Sequence, residues 1–131
     1  MLKLVVRFLD GRTLRGHTLC FDISTHNFIL NPVGGGPKDA VVVDFSEVKA
    51  VFFVRDFAGN PDRDKKIVDR SHQPYSGREI AVTFTDGETL VGFTPNYNRT
   101  LSGFFLFPAD RLSNATKVYV RASALTKVVL K

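Results

Sequence analysis

Residues 4–18 read LVVRFLDGRTLRGHT and residues 80–94 read IAVTFTDGETLVGFT, so one pattern occurs twice in the chain. The two copies are offset by 76 positions, and the same offset places Pro32 on Pro108. After a one-residue insertion, AVVVDFSEVKAVFFV (40–54) aligns with KVYVRASALTKVVLK (117–131). A repeat at fixed spacing determines architecture. The sequence therefore predicts two copies of one unit, residues 1–55 and 78–131, joined by a connector at 56–77.

Each copy has the period-two pattern of β-strands. Apolar residues alternate with other side chains through the first strand of each copy, which is typical of a half-buried strand. Asp-Gly follows at 10–11 and at 86–87, the dipeptide most typical of a tight hairpin. Gly16 and Gly92 lie inside the second strand of each copy, where glycine marks a bulge or a sharp bend. With three further short strands per copy, the pattern predicts an all-β fold of two tandem five-stranded SH3-like (Sm-like) barrels.

The bulk composition bounds size, charge and compartment. The chain has 131 residues and a net charge of +5, and we count +2 in residues 1–55, zero in 56–77 and +3 in 78–131. Units of this size bury only about 60% of their chain surface, so we expect the two copies to share a core. The basic excess is not concentrated in a block, so it permits an anionic partner without demanding one. A single cysteine and the absence of a long apolar run at the start predict a cytoplasmic, non-membrane protein.

Residues that could support catalysis or metal binding lack the required spacing. The three histidines at 17, 26 and 72 form no close ligand pair with each other or with Cys20. The GGGPK stretch at 34–38 has neither the spacing nor the Lys-Ser/Thr of a phosphate-binding loop. No nucleophile is paired with a base in a recognisable pattern. We therefore expect no catalytic residue, no cofactor, no metal and no small-molecule substrate.

The segment VRFLDGRTLRGHTLCFDISTHNFIL (6–30) resembles the first signature of the Sm and Sm-like proteins. Its matching elements are a hydrophobic residue, an Asp-Gly turn, a bend glycine, an aromatic-Asp pair and an Asn before a hydrophobic strand. Val54-Arg55-Asp56 faintly echoes the Arg-Gly of the second signature. In RNA-binding rings of that family the loop Asp and Asn help to build a uridine pocket. The resemblance implies that Asp22, His26, Asn27 and Arg55 would contact RNA.

A second resemblance covers most of the chain from Asp44 onward. The segments KAVFFVRDFAGNP (49–61), DGETLVGFTPNY (86–97) and GFFLFPAD (103–110) look like an uncharacterised bacterial domain that is often found alone or attached to signalling modules. This resemblance implies a bacterial, cytoplasmic setting and regulatory partners, and it brings no known reaction. The chain lacks the Arg-x-x-x-Arg pattern of the PilZ receptors that accompany such domains, so we expect no nucleotide binding.

The twelve phenylalanines suggest a role in association. Adjacent residues of a strand face opposite sides, so consecutive phenylalanines cannot all enter one core. They either bury each other between the copies or stay exposed as a partner-binding patch. The candidate partner-binding residues are Phe52, Phe57, Phe104 and Phe107. We expect a non-catalytic bacterial interaction or adaptor module that binds a protein partner, or itself, through this aromatic surface or a strand edge. The alternative is an Sm-like RNA-binding protein.

Overall fold

The chain is all-β in a computed structural model that describes residues 1–57, 77–95, 97–110 and 113–131. The predicted connector at 56–77 lies outside the described residues, except for Asp56, Phe57 and Gly77. The described strands are β1 (Leu2–Phe8), β2 (Thr13–Thr18), β3 (Asn27–Pro32), β4 (Val41–Asp44), β5 (Val48–Val54), β6 (Arg78–Phe84), β7 (Thr89–Thr94), β8 (Gly103–Pro108), β9 (Ala115–Arg121) and β10 (Leu125–Leu130).

The strands of the two halves correspond one to one. β1, β2 and β3 reappear 76 positions later as β6, β7 and β8 with identical lengths, and β4 and β5 correspond to β9 and β10. A single turn of 3-10 helix separates the last two strands in both halves. The Asp-Gly turns form as predicted, with Gly11 and Gly87 both at a φ of 94°. Glycine adopts this left-handed conformation without the penalty that a Cβ would bring.

Gly16 and Gly92, where the sequence predicts a bulge or bend, lie in close contact with the backbone of the next strand. A Cβ on Gly16 would lie 2.4 Å from the carbonyl oxygen of Asn31, and one on Gly92 would lie 2.2 Å from that of Phe107. Each glycine therefore lets its strand approach the backbone of the next strand, and the bulge or bend itself remains a prediction. The paired part of β2 and β3 is short and begins at Gly16.

The strands form one continuous antiparallel sheet in place of the two separate barrels that the sequence predicts. The strand order is β10-β6-β7-β8-β9-β5-β1-β2-β3-β4, and this order is open at both ends among the described residues. The two halves join where β5 pairs with β9, with Val51 opposite Tyr119 at the middle of the junction. The all-β class is confirmed, whereas two closed five-stranded barrels are not. The difference arises because β5 and β9 use their free edges to pair with each other.

The two hydrophobic cores exchange residues across this junction. The core of the first half includes Tyr119 from β9, and partly buried Phe105 from β8 packs against it. The core of the second half includes Ala50 from β5, and Phe52 packs against it. The two halves therefore pack on each other, as their small size predicts, around two cores that each take residues from both halves.

An ionic cluster also connects the halves. The Lys49 side chain is only 8% exposed, and its ammonium donates to Asp86 Oδ2 at 2.6 Å and to Glu88 Oε1 at 2.5 Å. It also lies 4.6 Å from the centre of the Phe84 ring. Arg7 adds a bond of 3.1 Å to the second oxygen of Glu88. The side chain of Lys49 leaves the first half and ends among carboxylates of the second.

Candidate functional site

Two strands of the sheet have an unpaired edge. Among the described residues, β4 pairs only with β3 and β10 pairs only with β6. The repeat makes β4 the counterpart of β9 and β10 the counterpart of β5. β9 and β5 pair with each other at the junction. The strands that correspond to them, β4 and β10, are therefore the two whose outer edges are vacant.

Backbone groups of β4 alternate between β3 and the vacant edge. The Phe45 N–H donates to the His26 carbonyl at 3.0 Å, and this bond sets the phase of the ladder between β3 and β4. Hydrogen-bonded and non-hydrogen-bonded pairs alternate in an antiparallel ladder. Val41 and Val43 therefore bond to β3, whereas Val42 turns its N–H and C=O toward the vacant edge. The edge offers a donor and an acceptor to an added strand.

Exposed apolar side chains lie beside this edge. Ile29 on β3 is 56% exposed and lies opposite Val42 on β4, which is 63% exposed. Leu19, just after β2, is 81% exposed, and the Thr18 hydroxyl next to it donates to the Ile29 carbonyl at 2.8 Å. We call Leu19, Ile29 and Val42 the β4-edge patch. Edge strands are usually protected by charge, proline or a bulge. β4 has one charged residue, Asp44 at its end, whose carboxylate accepts from the Ser46 N–H, and its three valines leave the rest of the edge without charge or proline.

The second half shows what covers the same positions at the junction. The counterparts of Ile29 and Val42 are Phe105 and Tyr119. The Tyr119 ring lies 5.7 Å from that of Phe21, and the Phe105 ring lies 6.1 Å from that of Phe53. The outer face of β8 and β9 is therefore packed on the first half, while the outer face of β3 and β4 carries the exposed patch.

A cavity of about 390 Å³ adjoins the patch beneath the loop between β2 and β3. Its lining is mainly apolar and comprises Thr18, Leu19, Cys20, Asp22, Thr25, Asn27, Phe28, Ile29 and Asn31. The Ser24 hydroxyl and backbone N–H both bond to the Asp22 carboxylate and lower its pKa below the ordinary value. The cavity thus holds an ionised carboxylate at neutral pH.

The structure brings together only part of the RNA-binding set implied by the Sm resemblance. Asp22 and Asn27 line the cavity, but His26 and Arg55 do not. The Arg55 guanidinium instead donates to the Ser113 carbonyl, near the junction. An RNA-binding role for these four residues remains a prediction.

The predicted partner-binding phenylalanines lie mainly between and within the two halves. Phe104 is buried in the second core, and half-buried Phe52 packs on that core beneath the Arg7 guanidinium. Half-buried Phe57 has its ring 5.2 Å from that of His17. Phe107 is also half-buried, opposite Phe93. Their role in binding a partner remains a prediction, and none of them belongs to the β4-edge patch.

Sequence reasoning did not identify the β4-edge patch. The signal was available in the alignment of the two copies, because Ile29 and Val42 align with the aromatic residues Phe105 and Tyr119. Aliphatic residues at these positions in one copy and aromatic ones in the other indicate outward faces with different neighbours. The strand order was needed to show which of the two faces is left uncovered.

The part of the chain that the structure describes offers neither a metal-binding cluster nor a membrane-spanning helix. No group of three or more His, Cys, Asp or Glu side chains there could hold a metal ion. None of its helical segments is long and apolar enough to cross a membrane.

Comparison with known proteins identifies a family. The whole chain, residues 1–131, matches the model of a family of unknown function (DUF6982), and the chain belongs to this family. The match supports the resemblance to an uncharacterised domain and does not extend to the Sm proteins. No curated protein and no solved structure matches the chain.

Proposed function

We propose that this member of a family of unknown function is a non-catalytic interaction module that binds an extended protein segment along the outer edge of β4. The observation that carries the proposal is the coincidence of two features at this edge. Val42 directs its backbone N–H and C=O outward, and the β4-edge patch surrounds these groups with exposed apolar side chains.

The physical basis is strand addition. An extended peptide that joins a sheet edge gains main-chain hydrogen bonds, and pockets or patches for its alternate side chains supply specificity. Burying the exposed apolar surface of Ile29 and Val42 would add about 1–2 kcal/mol per side chain. The partner segment should therefore be extended and carry apolar residues at every second position.

The chain itself provides a precedent for this mode of binding. β9 adds to the edge of β5, and the side chains of Tyr119 on β9 and Phe105 on the neighbouring β8 pack on the first half. The same pattern of strands in the first half presents β4 with a vacant edge. A partner strand paired with β4 would reproduce in the first half the pairing that β9 makes with β5.

RNA binding is a second candidate, favoured by the cavity that contains Asp22 and Asn27. Amide and carboxylate groups there could hydrogen-bond to the edge of an unstacked base, as in single-stranded RNA recognition. The ionised Asp22 carboxylate would repel phosphate, so the cavity suits a base better than a backbone. The mainly apolar lining favours the protein partner.

Photo-cross-linking in cells of the source organism tests the proposal. A photoreactive phenylalanine derivative replaces Val42, and the matched control places it at Leu101, an exposed apolar residue of the second half. We expect a nuclease-resistant protein adduct at position 42, mapped to an extended segment and absent at 101. Recovery of RNA at position 42, or no adduct at all, would overturn the proposal.

A further inference from the structure

We propose that the segment bound by the β4 edge is strand β10 of a second copy of this chain. The inference rests on the proposed function, since it names the partner of the same edge. In such a pair β4 of one copy pairs with β10 of the other. The first copy then still has an unpaired β10 and the second an unpaired β4. The contact is head-to-tail, so it joins successive copies into a ring or a filament.

The internal junction specifies the register of this contact. At the junction Val51 pairs with Tyr119 and Phe52 pairs with Val118. Replacing each residue by its counterpart in the other half places Val128 opposite Val42 and Val129 opposite Val41. Val41 and Val42 thus meet Val129 and Val128, while Val43 lies opposite Lys127 and Leu130 lies opposite Ala40.

The hydrogen-bonding phase of both strands agrees with this register. The Lys131 N–H donates to the Glu79 carbonyl at 3.0 Å, which sets the ladder between β10 and β6. In that phase Val129 bonds to β6, and Val128 turns its N–H and C=O outward. Val42 also directs its groups outward, so Val42 and Val128 can exchange both hydrogen bonds. If the register shifted by one residue, a residue whose backbone N–H and C=O point toward the other copy would face a residue whose groups bond within its own sheet.

The side chains on the outer face also match. At the junction Phe105 and Tyr119 pack on Phe21 and Phe53. The counterparts of Phe21 and Phe53 in the second half are Tyr97 and Leu130, which are both half-buried. Ile29 and Val42 of one copy would therefore pack on Tyr97 and Leu130 of the next. The β4-edge patch thereby gains an apolar surface on which to pack.

The contact between copies lacks the ionic cluster of the internal junction. The counterpart of Lys49 is Thr126, and the counterparts of Asp86 and Glu88 are Asp10 and Arg12. Asp10 and Arg12 already pair with each other at 2.7 Å. The ion pairs of Lys49 thus have no counterpart in this contact, and Lys127 takes the place that the buried Ala50 has at the junction. The contact is therefore weaker than the junction and depends on concentration.

Disulfide cross-linking between two variants tests the register directly. In a Cys20→Ser background, Val41→Cys is mixed with Val129→Cys under mild oxidation. These positions form a non-hydrogen-bonded pair, in which side chains are closest. The matched control mixes Val41→Cys with Lys127→Cys, which lies two residues out of register on the same face. We expect a cross-linked pair of chains in the first mixture and little in the control.

Several outcomes separate the inference from the proposed function. A disulfide dimer formed equally well by Val41→Cys alone would show pairing of β4 with β4 and overturn the inference. Equal cross-linking in both mixtures, or none in either, would also overturn it. In each of these cases a different protein captured at position 42 would leave the proposed function standing. If Val41→Cys loses the β-sheet signal in circular dichroism, the pair Val42→Cys and Val128→Cys replaces it.

Discussion

The ionic cluster at the junction leads to a prediction about which partner can be removed. Lys49 is almost entirely buried, whereas its partners Asp86 and Glu88 are 55% and 33% exposed. Removing the lysine charge leaves two carboxylates that water can reach, and Glu88 keeps its bond to Arg7. Removing the carboxylate charges leaves a buried ammonium without an ionic partner. The two changes should therefore differ in cost although both remove the ion pairs of Lys49.

The magnitudes follow from this difference in burial. Replacing a buried ion pair by well-packed apolar residues is often close to neutral, and removing one partner is costly when the charge left behind is buried. Water can reach the carboxylates that Lys49→Met leaves behind, so this variant should cost about 1 kcal/mol or less. An uncompensated buried charge costs about 3 kcal/mol or more, and this penalty applies to Lys49 in a variant with Asp86→Asn and Glu88→Gln. Combining all three substitutions should restore stability to near that of Lys49→Met.

Urea unfolding followed by far-ultraviolet circular dichroism measures these differences. We expect the midpoint to fall much further for the doubly neutralised variant than for Lys49→Met, with similar slopes. Arg12→Gln serves as the control, because the Arg12–Asp10 pair is exposed and contributes little. A larger loss for Lys49→Met than for the carboxylate variant would refute the reasoning.

Three further predictions concern stability in acid, the close backbone approach at Gly92 and self-association through the β4 edge. The bond from Lys49 and the Glu88 N–H lower the pKa of Asp86 in the folded protein below its ordinary 3.8, so its contribution is complete above that value and is lost as pH falls through the lowered pKa. The urea midpoint measured between pH 7 and 2 should therefore decline in the acid range, and it should decline less steeply in Asp86→Asn than in the unchanged protein. The same decline with pH in both proteins would contradict this. Gly92→Ala, whose Cβ would meet the Phe107 carbonyl, should cost about 2–3 kcal/mol by thermal or urea unfolding. Gly87→Ala, at positive φ in open space, should cost about 1–2 kcal/mol. A larger loss of stability for Gly87→Ala than for Gly92→Ala would contradict the close approach at Gly92. The double variant Ile29→Ser, Val42→Ser should weaken self-association about 30-fold or more in sedimentation velocity, and an unchanged dissociation constant would argue against the edge.

The sequence predicted the features that depend on local pattern. Alternation predicted the strands, Asp-Gly predicted the turns at Gly11 and Gly87, and the repeated glycine marked the close backbone approach at Gly16 and Gly92. These features require only neighbouring residues, because period, positive φ and close backbone approach are local properties. The matching spacing in both copies strengthened each of them.

The sequence did not predict the arrangement that depends on distant residues. The pairing of β5 with β9 joins segments more than sixty residues apart. The sequence of neither strand indicates which strand it will pair with. Lys49 looks like an ordinary strand lysine, and its burial follows only once Asp86 and Glu88 are placed beside it. The exposure of Ile29 and Val42 likewise depends on which of two equivalent edges is left vacant. Long-range pairing therefore decided both the sheet and the candidate site.

Amide hydrogen exchange of Val42 is the most direct test of the central claim, that the β4 edge is open and accepts a strand. The control is Val41, whose N–H bonds to β3. In dilute protein the account predicts fast exchange at Val42 and slow exchange at Val41. At high protein concentration, exchange at Val42 should slow together with that at Val128. Slow exchange at Val42 in dilute protein, or no change with concentration at either residue, would contradict the account.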